Sequence, residues 1–232
     1  MARFNGNLGV SLRQITCLEE TNEVGKDEIV MYAVLIFRER NLFHLTKSFI
    51  TRSRIFKNMR KGRVFSDFVA TEQCVFGEGF EACFEIGNLV NLSIDATVDN
   101  IDSARNFFTN PSFFMSFVLL TEHDDSNVKT ILSKMQVRVN NVINTAPDSE
   151  TNATLKPKVL QAIIDAFNSG RNTGMFENSD DRIQIVDLTD GSITQRELEG
   201  IFFREEEFGA DIPFSGDGGK YELKLNFSGF AR

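Results

Sequence analysis

Phe114-Met115-Ser116-Phe117-Val118-Leu119-Leu120 runs into Thr121-Glu122-His123-Asp124-Asp125, and further along the chain comes Asp180-Asp181-Arg182-Ile183-Gln184-Ile185. Each is a strand-like apolar run meeting a carboxylate cluster. The segment between them has helical periodicity. Two strands that flank a helical insert can stand side by side, with their acidic ends facing each other across one loop. Grouped carboxylates repel and raise each other's pKa, so a cation, an Arg or plain water must offset the charge.

The intervening segment reads as two helices. Val128, Ile131, Leu132, Met135, Val139, Val142 and Ile143 recur at three- and four-residue steps, which places them on one helical face. Ser126 is positioned to cap that helix and Pro147 lies just beyond its end. After a polar linker, Asp148 to Asn152, a second helix is expected to start near Thr154 with Pro157 in its first turn. Its apolar face is Leu155, Val159, Leu160, Ile163, Ile164 and Phe167, and Gly170 is placed to end it. The pair makes an αα-hairpin over residues 126–170.

Outside the hairpin the pattern is that of strands. Residues 8–18 alternate roughly, and Ile29 to Phe37 is apolar and β-branched. Between them lies an acidic, Gly-containing loop from Glu19 to Glu28. Residues 42–50, 54–56, 63–76, 82–86 and 89–98 carry further strand patterns, broken by Lys61-Gly62 and Gly77-Glu78-Gly79. Residues 102–108 form a short helix or turn before Pro111. Beyond Asp181 the pattern resumes at Ile183, Ile185 and Ile193, and residues 200–208 mix Phe and Ile with charge. A Gly-rich turn, Ser215 to Gly219, leads to strict alternation at Tyr221, Leu223, Leu225 and Phe227. Strands, a helical insert and strands again predict a mainly β protein, an antiparallel β-sandwich forming a single domain over 1–232 with the hairpin inserted in it.

The 232 residues include 23 Phe, 2 Tyr and no Trp, which favours a Phe-filled β core or Phe buried between subunits. Net charge is −8, yet residues 38–63 hold Arg38, Arg40, Lys47, Arg52, Arg54, Lys57, Arg60, Lys61 and Arg63 against one acid, Glu39. Such asymmetry bears on partners and self-association. Three cysteines without CxxC spacing argue against a disulfide framework or a zinc site. Met1 to Gly6 lacks the apolar run of a signal peptide, and no stretch is long enough to span a bilayer. The expectation is a cytoplasmic protein, or one released without a signal peptide.

Several loop sequences resemble those of C2-like domains. Gly25-Lys26-Asp27-Glu28-Ile29 resembles their first calcium-binding loop, although Glu28 stands where Pro is usual. Glu122-His123-Asp124 followed by Asp180-Asp181-Arg182-Ile183 resembles their third, with Gln184 in place of a Gly. The segment Gly216-Asp217-Gly218-Gly219-Lys220-Tyr221-Glu222-Leu223 fits a closing strand of such modules. The resemblance implies a C2-like sandwich with the hairpin inserted in the third loop. It also implies Ca²⁺ as the cation, with Asp27, Glu122, Asp124, Asp180 and Asp181 as ligands. Ca²⁺ takes six to eight oxygens, which short carboxylates at strand ends can supply. The ordinary reading of the same residues is that Asp forms turns and caps helices in solvent.

No nucleophile–base pair, phosphate-cradling loop or cofactor motif emerges, so an enzyme is not expected. Only two histidines exist, His44 and His123, far apart in sequence. Two functional classes stand. One is a non-enzymatic, Ca²⁺-dependent binding module with a protein partner, or an anionic surface met through residues 38–63. The other is a self-assembling structural subunit, a homo-oligomer of filament, sheath or shell type held by charge complementarity and Phe-rich contacts. The overall acidity argues against nucleic acid.

Overall fold

The computed structural model describes residues 2–21, 27–41, 44–66, 83–84, 89–123, 128–170, 182–190, 193–216 and 218–232. The chain runs β1 (Ala2–Glu19), β2 (Asp27–Glu39), β3 (Leu45–Ser53), β4 (Phe56–Met59), β5 (Val64–Ser66), β6 (Cys83–Phe84) and β7 (Leu89–Val98). Then come α1 (Ile101–Phe108), a 3₁₀ turn (Pro111–Phe113), β8 (Phe114–Glu122), α2 (Val128–Thr145) and α3 (Asn152–Gly170). The chain closes with β9 (Arg182–Asp187), α4 (Gln195–Phe203), β10 (Phe208–Gly216) and β11 (Gly219–Ala231).

Two sheets form, antiparallel except where the short β6 runs parallel to β3. The first has the order β10-β11-β1, with β7 and β5 pairing successive parts of the other side of β1. The second has the order β6-β3-β2-β8-β9, with β4 beside the start of β2. They pack face to face as a sandwich. Leu8, Val10, Leu12 and Ile15 of β1 and Leu223, Leu225 and Phe227 of β11 meet Ile29, Met31, Leu35 and Phe37 of β2 and Val118 and Leu120 of β8. Helices α1 and α4 add Phe107, Phe108, Ile201 and Phe202 to this core, beside Phe37 and Phe114. Phe108 sits so close to Gly6 that any side chain there would collide with its ring.

The helical hairpin lies between β8 and β9 in the chain, and those two strands pair, with Thr121 opposite Arg182. α2 and α3 cover the outer face of the second sheet. Ile131, Leu132, Met135 and Val139 of α2 and Leu155, Val159, Ile163 and Phe167 of α3 pack on Val30, Tyr32, Val34, Ile36, Met115, Phe117 and Leu119. The molecule is therefore three layers: sheet, sheet, helix pair. β2 and β8 sit in the middle layer and are covered on both faces. This explains why Ile29 to Phe37 and Phe114 to Leu120 read as continuous apolar runs, whereas β11, covered on one face, alternates.

The structure differs from the sequence reading at several elements. The acidic loop is shorter than expected, because Asp27 and Glu28 already belong to β2. α3 starts at Asn152 and accommodates Pro157 beyond its first turn. Ile193 precedes α4 rather than belonging to a strand. Thr194 and Glu197 form a capping box there, which satisfies the first amides of the helix reciprocally. Much of the 63–76 and 82–86 strand patterns, Ser126 and the Gly77-Glu78-Gly79 break lie outside the described residues.

Candidate functional site

The acidic ends of β2 and β8 meet. Ile29 is register partner to Glu122, so Asp27 and Glu122 come from neighbouring strands at one pole of the sandwich. Both are deeply buried, Asp27 at 3% and Glu122 at 2% exposure. They meet on Thr21, at the described end of the chain beyond β1. The Thr21 hydroxyl lies 2.9 Å from Asp27 Oδ1 and 3.0 Å from Glu122 Oε1. One hydroxyl proton thus serves two carboxyl groups. The Thr21 amide N–H donates to Asp27 Oδ2 at 2.9 Å, and the Tyr221 hydroxyl donates to the same oxygen.

Tyr221 belongs to β11 in the first sheet and Asp27 to β2 in the second, so this hydrogen bond ties the two sheets together across the top of the core. Burial and the Asp27 charge push the Tyr221 hydroxyl far above the usual phenol range. Cys17, directly opposite Tyr221 on β1, is a buried thiol pushed up to about 11, by burial first and by Asp27 second. Both groups stay neutral and serve Asp27 as uncharged neighbours at ordinary pH.

Of the five carboxylates expected as ligands, the structure brings Asp27 and Glu122 together. Asp124, Asp180 and Asp181 lie outside the described residues. Among the described residues no three His, Cys, Asp or Glu side chains gather in a metal-sized group. The oxygens of Asp27 already accept from three donors, and a carboxylate has about four acceptor positions. Asp27 would have to release donors to enter a Ca²⁺ sphere. The described pair does not by itself fit a Ca²⁺ cage, which needs six to eight oxygens.

Thr21 and Tyr221 were not singled out as site residues from the sequence. For Tyr221 a signal existed. It is an inward-facing Tyr in an alternating strand, and a buried phenol needs a hydrogen-bond partner. For Thr21 there was none, because its role follows from the approach of β1 to β2.

The basic segment 38–63 is not one exposed patch. Arg38 and Arg52 are buried, Arg40 pairs with Asp148 at 2.8 Å, and Lys57 reaches Glu28 at 3.6 Å. Arg54 and Arg63 stack on the ring of Phe65. Many of the described Phe residues are likewise spent inside: Phe37, Phe56, Phe108, Phe114, Phe167, Phe202, Phe214 and Phe227 are fully buried, while Phe230 is exposed. Among the described residues no helix is long and apolar enough to cross a membrane.

Fold and pole define the chain as an antiparallel β-sandwich with a helical hairpin laid over one sheet. No family model and no curated protein matches it. A solved structure described as "CC2D1B coordinates ESRCT-III activity during the mitotic reformation of the nuclear envelope" is similar to it at 12% identity and a TM-score of 0.33. The match covers 94% of this chain and 53% of that one, so this chain spans about half the length of the chain it matches. A likeness of that size carries no weight for function.

Proposed function

We propose that the protein is a non-enzymatic binding module of the C2-like kind, whose acidic pole takes a cation and whose partner is another protein. The observation that supports this reading is the convergence of Asp27 and Glu122 on Thr21 at the end of the sandwich. Burying two carboxyl groups side by side is costly unless a proton, a cation or hydrogen bonds offset the charge. Asp27 has its donors. The Ca²⁺ part of the proposal therefore rests on Glu122, together with Asp124, Asp180 and Asp181, which follow or precede the paired ends of β8 and β9 in sequence.

Thermal unfolding and size-exclusion chromatography with millimolar Ca²⁺ or EDTA test it. A protein that binds Ca²⁺ only when folded gains stability in proportion to ligand occupancy. The expected result is a monomer whose Tm rises with Ca²⁺ and falls back with EDTA. Asp124→Asn combined with Asp181→Asn should abolish the rise. A full rise in that double variant would show that other groups hold the ion. A large species that loosens in high salt and ignores EDTA would favour the self-assembling subunit instead, a reading to which the buried Phe and internally paired Arg side chains lend no support.

A further inference from the structure

One side of the sandwich is crossed by a strap. The short strand β4 pairs the start of β2 in the second sheet, and β5 pairs β1 in the first. The turn between them is pinned by the main chain. Gly62 takes a φ of +81°, a conformation that suits glycine. Its amide donates to Cys17 O at 2.8 Å, and the Arg63 amide donates to Arg60 O at 2.8 Å. From Ser53 to Ser66 the chain holds Arg54, Lys57, Arg60, Lys61 and Arg63, and neither Asp nor Glu.

The carboxylates around the strap do not balance these charges. Glu28 takes Lys57 at 3.6 Å, Glu19 pairs with Lys220, and Glu20 accepts from the Lys61 main-chain amide at 2.8 Å. Among the described residues no carboxylate lies within ion-pair distance of Arg54, Arg60 or Arg63. Arg60 is exposed, and aromatic rings hold the other two. The Arg54 guanidinium lies 5.4 Å from the Phe56 ring and 5.7 Å from the Phe65 ring, which Arg63 approaches to 4.6 Å. Arg63 also donates to Asn58 O at 3.0 Å, while the Nε of Arg54 has no acceptor. Stacking fixes the fork of a guanidinium and leaves its charge in place. Beside these cations Val64 is 46% and Leu18 47% exposed. Val64 is register partner to Thr16, two residues before Leu18. Two of the five large apolar side chains exposed among the described residues therefore lie together here.

We propose that the strap, with the end of β1, docks an acidic segment of a partner protein. Arg54, Arg60 and Arg63 take its carboxylates, and Leu18 and Val64 take an apolar side chain between them. The inference rests on the reading that the partner is a protein. Pre-positioned guanidinium forks match carboxylates in geometry as well as charge. A segment of peptide can set its acids against the guanidinium groups alone. A uniformly anionic membrane would also press on Glu19, Glu20 and Glu28 along the border of the surface, which costs repulsion. Complementary charge of this kind sets partner choice and encounter rate more than raw affinity.

The test is fluorescence anisotropy of a dye-labelled peptide of alternating glutamate and leucine with the full chain, in about 150 mM salt and in EDTA. Without Ca²⁺ in the cuvette, its outcome is separate from that of the Ca²⁺ stability test. The variants are Arg60→Glu and Val64→Glu, whose side chains are exposed, so Tm should stay within about 2 °C of the unaltered protein. Arg138→Glu, an equal change of charge at an exposed position of α2, is the control. The unaltered protein should bind the peptide. Arg60→Glu and Val64→Glu should each weaken binding about tenfold, and Arg138→Glu about twofold at most. Equal loss in Arg138→Glu, or none in Arg60→Glu and Val64→Glu, would overturn the surface while leaving a protein partner in place. No peptide binding would overturn the proposal. If the protein then sediments with phosphatidylserine vesicles, the surface belongs to a membrane and the protein-partner reading falls with it. If it then self-associates and Arg60→Glu abolishes this, the surface belongs to a second copy.

Discussion

β8 and β11 are both central strands of their sheets, yet one is buried on two faces and the other on one. Every residue of β8 from Phe114 to Glu122 is buried. In β11, Tyr221, Leu223 and Leu225 are buried while Lys220 is exposed and Glu222 and Lys224 are half-buried. The difference comes from the third layer. The helical hairpin covers the second sheet, and nothing equivalent among the described residues covers the outer face of the first. An element covered on both faces loses the polar half of its alternation and reads as a continuous apolar run. Glu122, at the end of β8, shares the other face with Val118 and Leu120, and is buried between the two sheets against Thr21 rather than under the hairpin.

The contrast can be broken most severely at Phe117, which faces the hairpin from β8. Phe117→Ala should cost about 3–5 kcal/mol in urea unfolding, whereas Lys224→Ala on the outer face of β11 should stay within about 0.5 kcal/mol. Comparable losses at the two positions would mean that the hairpin contributes little as a covering layer. A second test acts on the tie between the sheets. Asp27→Ala strands the Tyr221 hydroxyl and the Thr21 amide, while the Thr21 hydroxyl keeps Glu122; each buried unsatisfied group costs about 1–3 kcal/mol, so a total of about 2–6 kcal/mol is expected. Tyr221→Phe removes one donor and should cost about 1 kcal/mol. This loss should appear with or without Ca²⁺, since it concerns the clamp rather than a ligand.

The smallest effect is confined to alkaline solution. The Cys17 thiol is held up to about 11 when folded, against an ordinary 9.0. A neutral acid whose pKa rises on folding contributes stability in full below its unfolded pKa, and that contribution is lost as pH rises through the folded value. Stability should therefore decline between about pH 9 and about pH 11. Cys17→Ala should flatten that slope while leaving the acid side unchanged. An unaltered slope would assign the alkaline loss to Tyr221, whose pKa is raised by the same burial and by the same Asp27.

The fold was legible where periodicity is strong. The αα-hairpin, the last strand and the two apolar strands that flank or precede the insert all follow from spacing alone. α4 was missed although Thr194-Gln195-Arg196-Glu197 carries a capping-box signature. The consecutive Ile201-Phe202-Phe203 that follows is too short a run to show helical periodicity. Half of the acidic site was legible in the same way, because Asp27 and Glu122 close apolar runs. What they touch was not, since Thr21 and Tyr221 lie 6 and 194 residues from Asp27 along the chain.

Chain chemistry alone determined the long strands and the αα-hairpin, that the β core is filled with Phe, and that carboxylates gather at strand ends. Only the tertiary structure decided the fate of charge. It buried Arg38 and Arg52 out of a stretch that reads as a solvated basic run, and it turned Asp27 into the hub of a tie between sheets. The physical reason is that periodicity reports which face of an element is apolar, a local property. Whether a charged side chain is sealed, paired or exposed depends on which distant element packs over it.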